Sequence, residues 1–404
     1  MNALMKISKK AVPFVLLLTV CMVSSSKSEV KAASVKFSDI PTNHWAKSGI
    51  DTAVNKGYVV GYPGGLFMPN ANVTRAEFIK MVVTATGQPV EETTGKWYES
   101  YVTAAEQAAL YIKSDFANSD TEWNKKITRQ EMARIAARAT GLKTTEDDKW
   151  MYLATKSGLI SGLGKGRLGE TESTTRAQSV VIIERILSTN GGSTLKPDKY
   201  AVSNAELLWH GTNIFTVMPD IFTTGDPVKD VNAADLWKEE KMKITSKDGL
   251  YSAQLDALIA IDLADKNDPN LDLIPDVSTL KWKNTADNTT NGIRITEKYM
   301  NSYLLYSKAH INFNKDTTRY SKTTFFTAEV LGTTNLDRKS FVNGNLNSQA
   351  LVFQKVPFDL PMTILPKSGW VQDGKIIVWI KVPSLSAFYL LRNEILSIAG
   401  PYKK

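Results

Sequence analysis

The sequence predicts a multidomain chain: an all-α triplicate in the N-terminal half, then an α+β domain with a mostly antiparallel sheet. Three observations carry this. A helix-start signature, Thr-Arg-x-Glu/Gln, recurs at Thr74, Thr128 and Thr175, spaced by 54 and then 47 residues. Each copy opens an apolar run of helical period, and self-similarity of this kind marks a repeat architecture whose units cannot bury their apolar faces alone. Beyond the Gly191-Gly192 stretch the character changes, and from about Gly292 apolar and polar residues alternate as on half-buried strands.

Residues 1–32 read as a secretory signal peptide. Lys6, Lys9 and Lys10 precede an apolar stretch of 13 residues, Ala11–Val23, and Val30-Lys31-Ala32 offers a cleavage site. The stretch is too short to span a bilayer, so no transmembrane segment is expected in the mature chain. Cys21, the one cysteine, lies inside it. The mature protein is thus expected to have no disulfide, no thiolate nucleophile and no Cys-ligated metal. A lipoprotein reading of Leu18-Thr19-Val20-Cys21 lacks the small residue expected before a modified Cys. Residues 1–33 carry five Lys and one Glu, half of the net charge of +8, and residues 34–190 hold 19 basic against 17 acidic residues. Without a Lys/Arg cluster, no nucleic-acid partner is expected.

The first repeat, 35–88, opens on Phe37-Ser38-Asp39-Ile40 and His44-Trp45-Ala46. Its first helix carries Ile50, Ala53 and Val54 and stops at Gly57. A loop from Gly61 to Asn70 follows, then the Thr74 helix with Phe78, Met81 and Val82, ending at Gly87. The second repeat, 94–142, opens on Trp97-Tyr98, and its Thr128 helix carries Met132 and Ile135. The third, 146–187, opens at Trp150, has the loop Gly162-Leu163-Gly164-Lys165-Gly166, and its Thr175 helix runs through Val180 to Leu187.

In each signature the Thr and the Glu/Gln form a capping box, satisfying two orphan helix N–H donors. The Arg has no such reason to be there. It occupies the first helical position, where the macrodipole disfavours a cation. Arg75, Arg129 and Arg176 therefore point to an anion, the competing role being an ion pair within the bundle. For Trp45, Trp97 and Trp150 the competing role is core packing.

The segment FSDIPTNHWAKSGIDTAV…GYPGGLFMPNANVTRAEFIKMV, residues 37–87, resembles the S-layer homology (SLH) domain, and residues 96–141 and 147–188 resemble the second and third members of such a trio. The second repeat lacks the Gly-Tyr-x-Gly loop and has Gln130 for Ala; the third lacks the Phe-x-Asp opening and has Gln178 for Glu. The resemblance implies a pseudo-threefold domain around a central three-helix bundle, with grooves between units that bind an anionic secondary cell-wall polysaccharide, typically pyruvylated, or a peptidoglycan-linked glycan. The ligand-binding residues it implies are Arg75, Arg129 and Arg176, then Trp45, Trp97 and Trp150, and Gly61 and Gly162. Chemistry agrees: an Arg beside helix N–H groups suits a carboxylate or phosphate, a Trp face suits a sugar ring, and Gly admits close approach.

Residues 188–198 read as a linker, and 199–404 as an α+β domain that resembles no recognised family. Val202–Leu208 and Val231–Met242 read as short helices. Tyr303–Phe313, Phe325–Leu331 and Ala350–Val356 read as strands, Trp370–Ile376 as a hairpin with an Asp-Gly turn leading into a strand Ile376–Val382, and Leu385–Ile398 as a final helix ended by Gly400-Pro401. No catalytic residue, cofactor or metal is expected. His210 and His310 have no metal-ligand spacing. The acidic run Asp262, Asp265, Asn267, Asp268, Asp272 and Asp276 fails the EF-hand pattern, with Pro269 at the fifth position and no Gly at the sixth. The expected protein is non-enzymatic, exported to the surface of a Gram-positive-type bacterium and held non-covalently to its wall. The rival readings are an anchored carbohydrate-active hydrolase and a lattice subunit.

Overall fold

The computed structural model describes residues 36–224, 231–283, 291–322, 325–334 and 337–399. The signal-peptide reading of residues 1–32 and the Gly400-Pro401 stop lie outside them.

Each repeat contributes two main helices. The outer ones are α1 (Lys47–Asn55), α3 (Glu99–Gln107) and α6 (Lys149–Lys156); the capped ones are α2 (Arg75–Ala85), α5 (Arg129–Ala139) and α7 (Arg176–Asn190); a single turn, α4 (Asp120–Trp123), lies in the second repeat's loop. All three capping boxes form: Thr74, Thr128 and Thr175 accept from the N–H three residues on, and Glu77, Glu131 and Gln178 accept from the cap N–H. α7 packs against both α2 and α5, and one core runs through all three repeats, with Ile50, Phe78, Ile79, Met132, Trp123, Met151 and Ile183 fully or almost fully buried.

The repeats are also tied by short β-bridges: Thr74 to Lys126, Thr128 to Ser173 and Asn72 to Thr175. At their centre the residues just before the caps form a closed ring. Val73 N–H donates to Thr174 O at 3.1 Å, Thr174 N–H to Ile127 O at 2.9 Å, and Ile127 N–H to Val73 O at 3.0 Å. This backbone ring ties the three repeats together and gives three N–H and three C=O groups their partners.

From α8 (Lys199–His210) and α9 (Ile214–Val217) the chain enters two antiparallel sheets. The strands are β1 (Lys243–Thr245), β2 (Tyr251–Asp262), β3 (Lys281–Lys283), β4 (Ile293–Arg294), β5 (Ser302–Asn314), β6 (Ala328–Thr334), β7 (Ala350–Phe353), β8 (Met362–Pro366), β9 (Val371–Lys381) and β10 (Arg392–Ile398), with α10 (Arg338–Val342) between β6 and β7. The larger sheet has the order β1-β2-β5-β8-β7-β3-β4 and the smaller β10-β9-β6. One face of the larger sheet packs on the smaller through Ala253, Leu258, Tyr303 and Leu365 against Val330, Val378, Ile380 and Leu396. Its other face buries Ile261, Leu304, Val352 and Ile364 with Trp282 and Phe341.

The expected fold class is corrected. The N-terminal region is mostly helical, with isolated β-bridges between its repeats, and the C-terminal part has two antiparallel sheets where one was expected. The described residues from Lys36 on fall in one compact unit, and the helical core extends into α8 through Ala201, Val202, Ala205 and Trp209. The stretch after α7 lies against the third repeat. A Cβ on Gly158 would sit 2.7 Å from Leu195 Cβ, and Gly162 N–H donates to Asp198 Oδ2 at 3.0 Å.

Three elements change type. The expected helix Val231–Met242 is two 3₁₀ turns, Ala233–Leu236 and Glu239–Lys241. The expected helix 385–398 is the strand β10 after a 3₁₀ turn, Ala387–Tyr389; its Ile395, Leu396 and Ile398 are buried against β9, and a short apolar run does not distinguish helix from strand. The expected Asp-Gly turn is a bulge inside β9. Gly374 has φ +72°, and the β6 register shifts between Leu331 and Thr333, where a Cβ on Gly332 would lie 2.0 Å from Lys375 O.

Candidate functional site

The three motif arginines reach the loop of the next repeat, but with different partners. Arg129 donates from Nε to Leu168 O at 2.6 Å and from Nη2 to Ser161 O at 2.8 Å. Arg176 repeats this on the first loop, from Nε to Phe67 O at 3.0 Å and from Nη2 to Val60 O. Each guanidinium therefore staples the neck of a hairpin loop, closed by Leu163 N–H to Arg167 O and Tyr62 N–H to Leu66 O, both at 2.7 Å. Carbonyls hold these cations but do not neutralise them. Among the described residues neither has a carboxylate in ion-pair range. Burial pushes both guanidinium pKa values down, although arginine stays charged throughout.

Arg75 takes the competing role. It pairs with Glu122 and Glu131 and lies 4.2 Å over the Phe116 ring. Burial would lower its pKa, but the hydrogen bonds it donates to Glu131 and Glu122 outweigh this and hold it up. Its charge is spent inside the protein.

A groove of about 220 Å³ gathers three expected residues from three different repeats: Trp45 from the first, Arg129 from the second and Gly162 from the third. Its floor is the face of α7 that carries Gln178, Val181, Ile182 and Arg185, spaced i, i+3, i+4, i+7 along the helix. Trp45 is 64 % exposed. Trp97 is 52 % exposed and sits 5.5 Å from Lys80 Nζ. Lys80 holds the place on α2 that Val181 holds on α7, so Trp97 flanks the groove of Arg176 as Trp45 flanks that of Arg129. Trp150 differs: it lies inside α6, is 5 % exposed, and has the Arg138 guanidinium 4.9 Å from its ring centre. Trp45 and Trp97 each precede the residue that caps their helix; in the third repeat that place belongs to Asp147, which pairs with Arg134.

The two glycines serve their loops directly. A Cβ on Gly61 would meet Phe37 Cε1 at 2.3 Å, and one on Gly162 would meet Gly166 Cα at 3.1 Å. Arg185, Gln178 and Lys80 escaped sequence reasoning, although the helical stripe from Gln178 to Arg185 was visible in the spacing.

No group of three metal-ligating side chains occurs among the described residues. The acidic run is engaged locally: Asp265 binds Lys199 and Tyr200, and Asp268 accepts from the N–H of Asp262 and of Asn270. His210 is buried against Glu239 Oε1 at 2.6 Å, and His310 is held by Asp256 Oδ2 at 2.9 Å. No described helix is long and apolar enough to cross a membrane.

Residues 36–79 match the S-layer homology domain. An S-layer protein of Bacillus thuringiensis subsp. finitimus is 33 % identical over 135 residues, 31 % of this chain and 16 % of its own length. An amylopullulanase of Thermoanaerobacterium thermosulfurigenes is 31 % identical over 182 residues, 38 % of this chain and 10 % of its own. Exoglucanase XynX of Acetivibrio thermocellus is 30 % identical over 193 residues, 41 % of this chain and 17 % of its own. The chain thus aligns with about a tenth to a sixth of the length of these relatives.

Proposed function

From the S-layer homology domain that this cell-surface protein carries, we propose that the trio anchors the chain non-covalently by binding an anionic cell-wall polysaccharide, of which a pyruvylated glycan is the type that fits best. The observation that carries the reading is the contrast among the three arginines. Arg129 and Arg176, buried but without an ion-pair partner among the described residues, lie in grooves flanked by exposed tryptophans, whereas Arg75 is neutralised by two carboxylates. A ketal carboxylate or phosphate then receives a charge-assisted hydrogen bond from Arg, and the sugar ring stacks on Trp45 or Trp97. Two such grooves on one repetitive polymer add avidity, on the order of a hundredfold or more where both engage.

The C-terminal sheets are, in this reading, displayed cargo without catalytic activity. The test is co-sedimentation of the purified protein with wall sacculi, before and after the secondary polymer is stripped. Binding is expected only to the unstripped wall, and equal binding to both overturns the reading.

A further inference from the structure

The groove of Arg129 differs from its two counterparts in charge. Arg129 and Arg185 both reach Ser161, the first at its carbonyl (2.8 Å) and the second at its Oγ (3.1 Å). Arg185 also donates to Leu159 O at 3.2 Å. Two guanidinium groups thus converge on one residue, and no carboxylate lines the groove. The nearby acids are turned elsewhere. Glu184 is held by Lys56 and Tyr58, Asp198 accepts from Gly162 N–H, and Glu172, which pairs with Arg167, and Glu170 act on Arg129 only through space, without an ion pair.

The repeats supply the control. The capping residue that faces the groove is neutral Gln178 here, but Glu77 at the groove of Arg176 and Glu131 at Arg75. The position of Arg185 is Thr84 on α2. On α5 it is Arg138, which is paired with Asp115 together with Arg134. At Arg75 every cation therefore has its acid, and at Arg176 one arginine faces Glu77 and Lys80. Only the Arg129 groove, among the described residues, brings two arginines together without a counter-charge. Like charges gathered in a part-buried site repel one another unless an anion joins them.

We propose that this groove is selective for a doubly anionic unit of the wall polymer, a sugar whose ring carries two acidic groups, one for Arg129 and one for Arg185, with the ring on Trp45. The proposal rests on the anchoring function above. Gln178 is then part of the selectivity: a Glu there would repel the ligand.

The test uses two synthetic probes and calorimetry on the purified protein: a pyruvylated methyl hexoside with one carboxylate, and the same glycoside with an added sulfate monoester, which brings one further charge. The wild type is expected to bind the doubly charged probe roughly ten- to a hundredfold more tightly, the worth of one charge-assisted hydrogen bond. Arg185→Gln should remove that preference, and Gln178→Glu should weaken both probes and the doubly charged one more. Arg185→Lys should restore most of it, which separates a charge effect from a folding defect. Equal binding of the two probes by the wild type, or a preference that survives Arg185→Gln, overturns the proposal. Either result leaves anchoring intact, because that fails only if the protein does not bind the intact wall.

Discussion

Glu131, which closes the capping box of its own helix through Thr128 N–H at 2.9 Å, also holds the guanidinium of Arg75 from the preceding repeat. One carboxylate thus serves two repeats and neutralises one of the three motif arginines. At the matching place on α7, Gln178 keeps the cap (Thr175 N–H to Oε1, 2.9 Å) and leaves Arg129 without an ion pair. The same local motif yields a paired cation in one groove and an unpaired one in another.

Arg75→Ala is expected to leave glycan affinity within about twofold but to lower unfolding free energy by about 2 kcal/mol, since Glu122 and Glu131 lose a shared partner. Arg129→Gln and Arg176→Gln should each weaken glycan binding by about tenfold or more. Urea unfolding and calorimetry on the three variants separate the two behaviours. Equal affinity losses at all three arginines would contradict the assignment.

Trp45→Ala and Trp150→Ala should diverge as well. Trp45 is exposed, so its loss should reduce affinity with little effect on stability. Trp150 is core, and its truncation is expected to cost about 3–5 kcal/mol. Thermal melts followed by circular dichroism read the difference.

The caps are independent of ligand. Thr74→Ala, Thr128→Ala and Thr175→Ala should each lower stability by about 1 kcal/mol, measurable by denaturant midpoint. Glycan affinity should stay near wild type where the helix still forms.

Glu206 gives the fold a pH dependence. It is fully buried on α8, and burial pushes its pKa up to about 8, against hydrogen bonds from Thr216 and from Phe215 N–H and the charge of Lys156. A carboxyl whose folded pKa is raised prefers its neutral form in the native state. The unfolded chain ionises first, so this group's contribution to stability falls as pH rises from about 4.5 to about 8 and is level beyond. Glu206→Gln should flatten that slope in denaturation curves taken across the window; an unchanged slope would assign the dependence to another group.

Legibility followed locality. The capping boxes, the arginines at the first helical position and the glycine stops at Gly57 and Gly87, both with positive φ, depend on a few adjacent residues and were readable. The ion pair of Arg75 with Glu122 joins residues 47 apart and has no local signal. β2 was missed because its register shifts between Leu255 and Ala257, which breaks the alternation and lets Leu255 and Leu258 reach the same core. Trp150 was mistaken for the counterpart of Trp45 because residue type was matched where helix position decides: its spacing to the motif Arg, 26 residues against 30 and 32, already pointed to a different register. The wall resemblance rested on the first repeat, and that is the part the domain match covers.

The central claim is that acid groups on the wall polymer, held by Arg129 and Arg176, anchor this chain. Its most direct test is calorimetric titration of the purified wall glycan into the protein, before and after mild acid hydrolysis of its ketal carboxylates. Binding should be strong to the intact glycan and lost with the hydrolysed one, and lost with both for the Arg129→Gln/Arg176→Gln double variant. Unchanged affinity for the hydrolysed glycan, or full binding by the folded double variant, would contradict it.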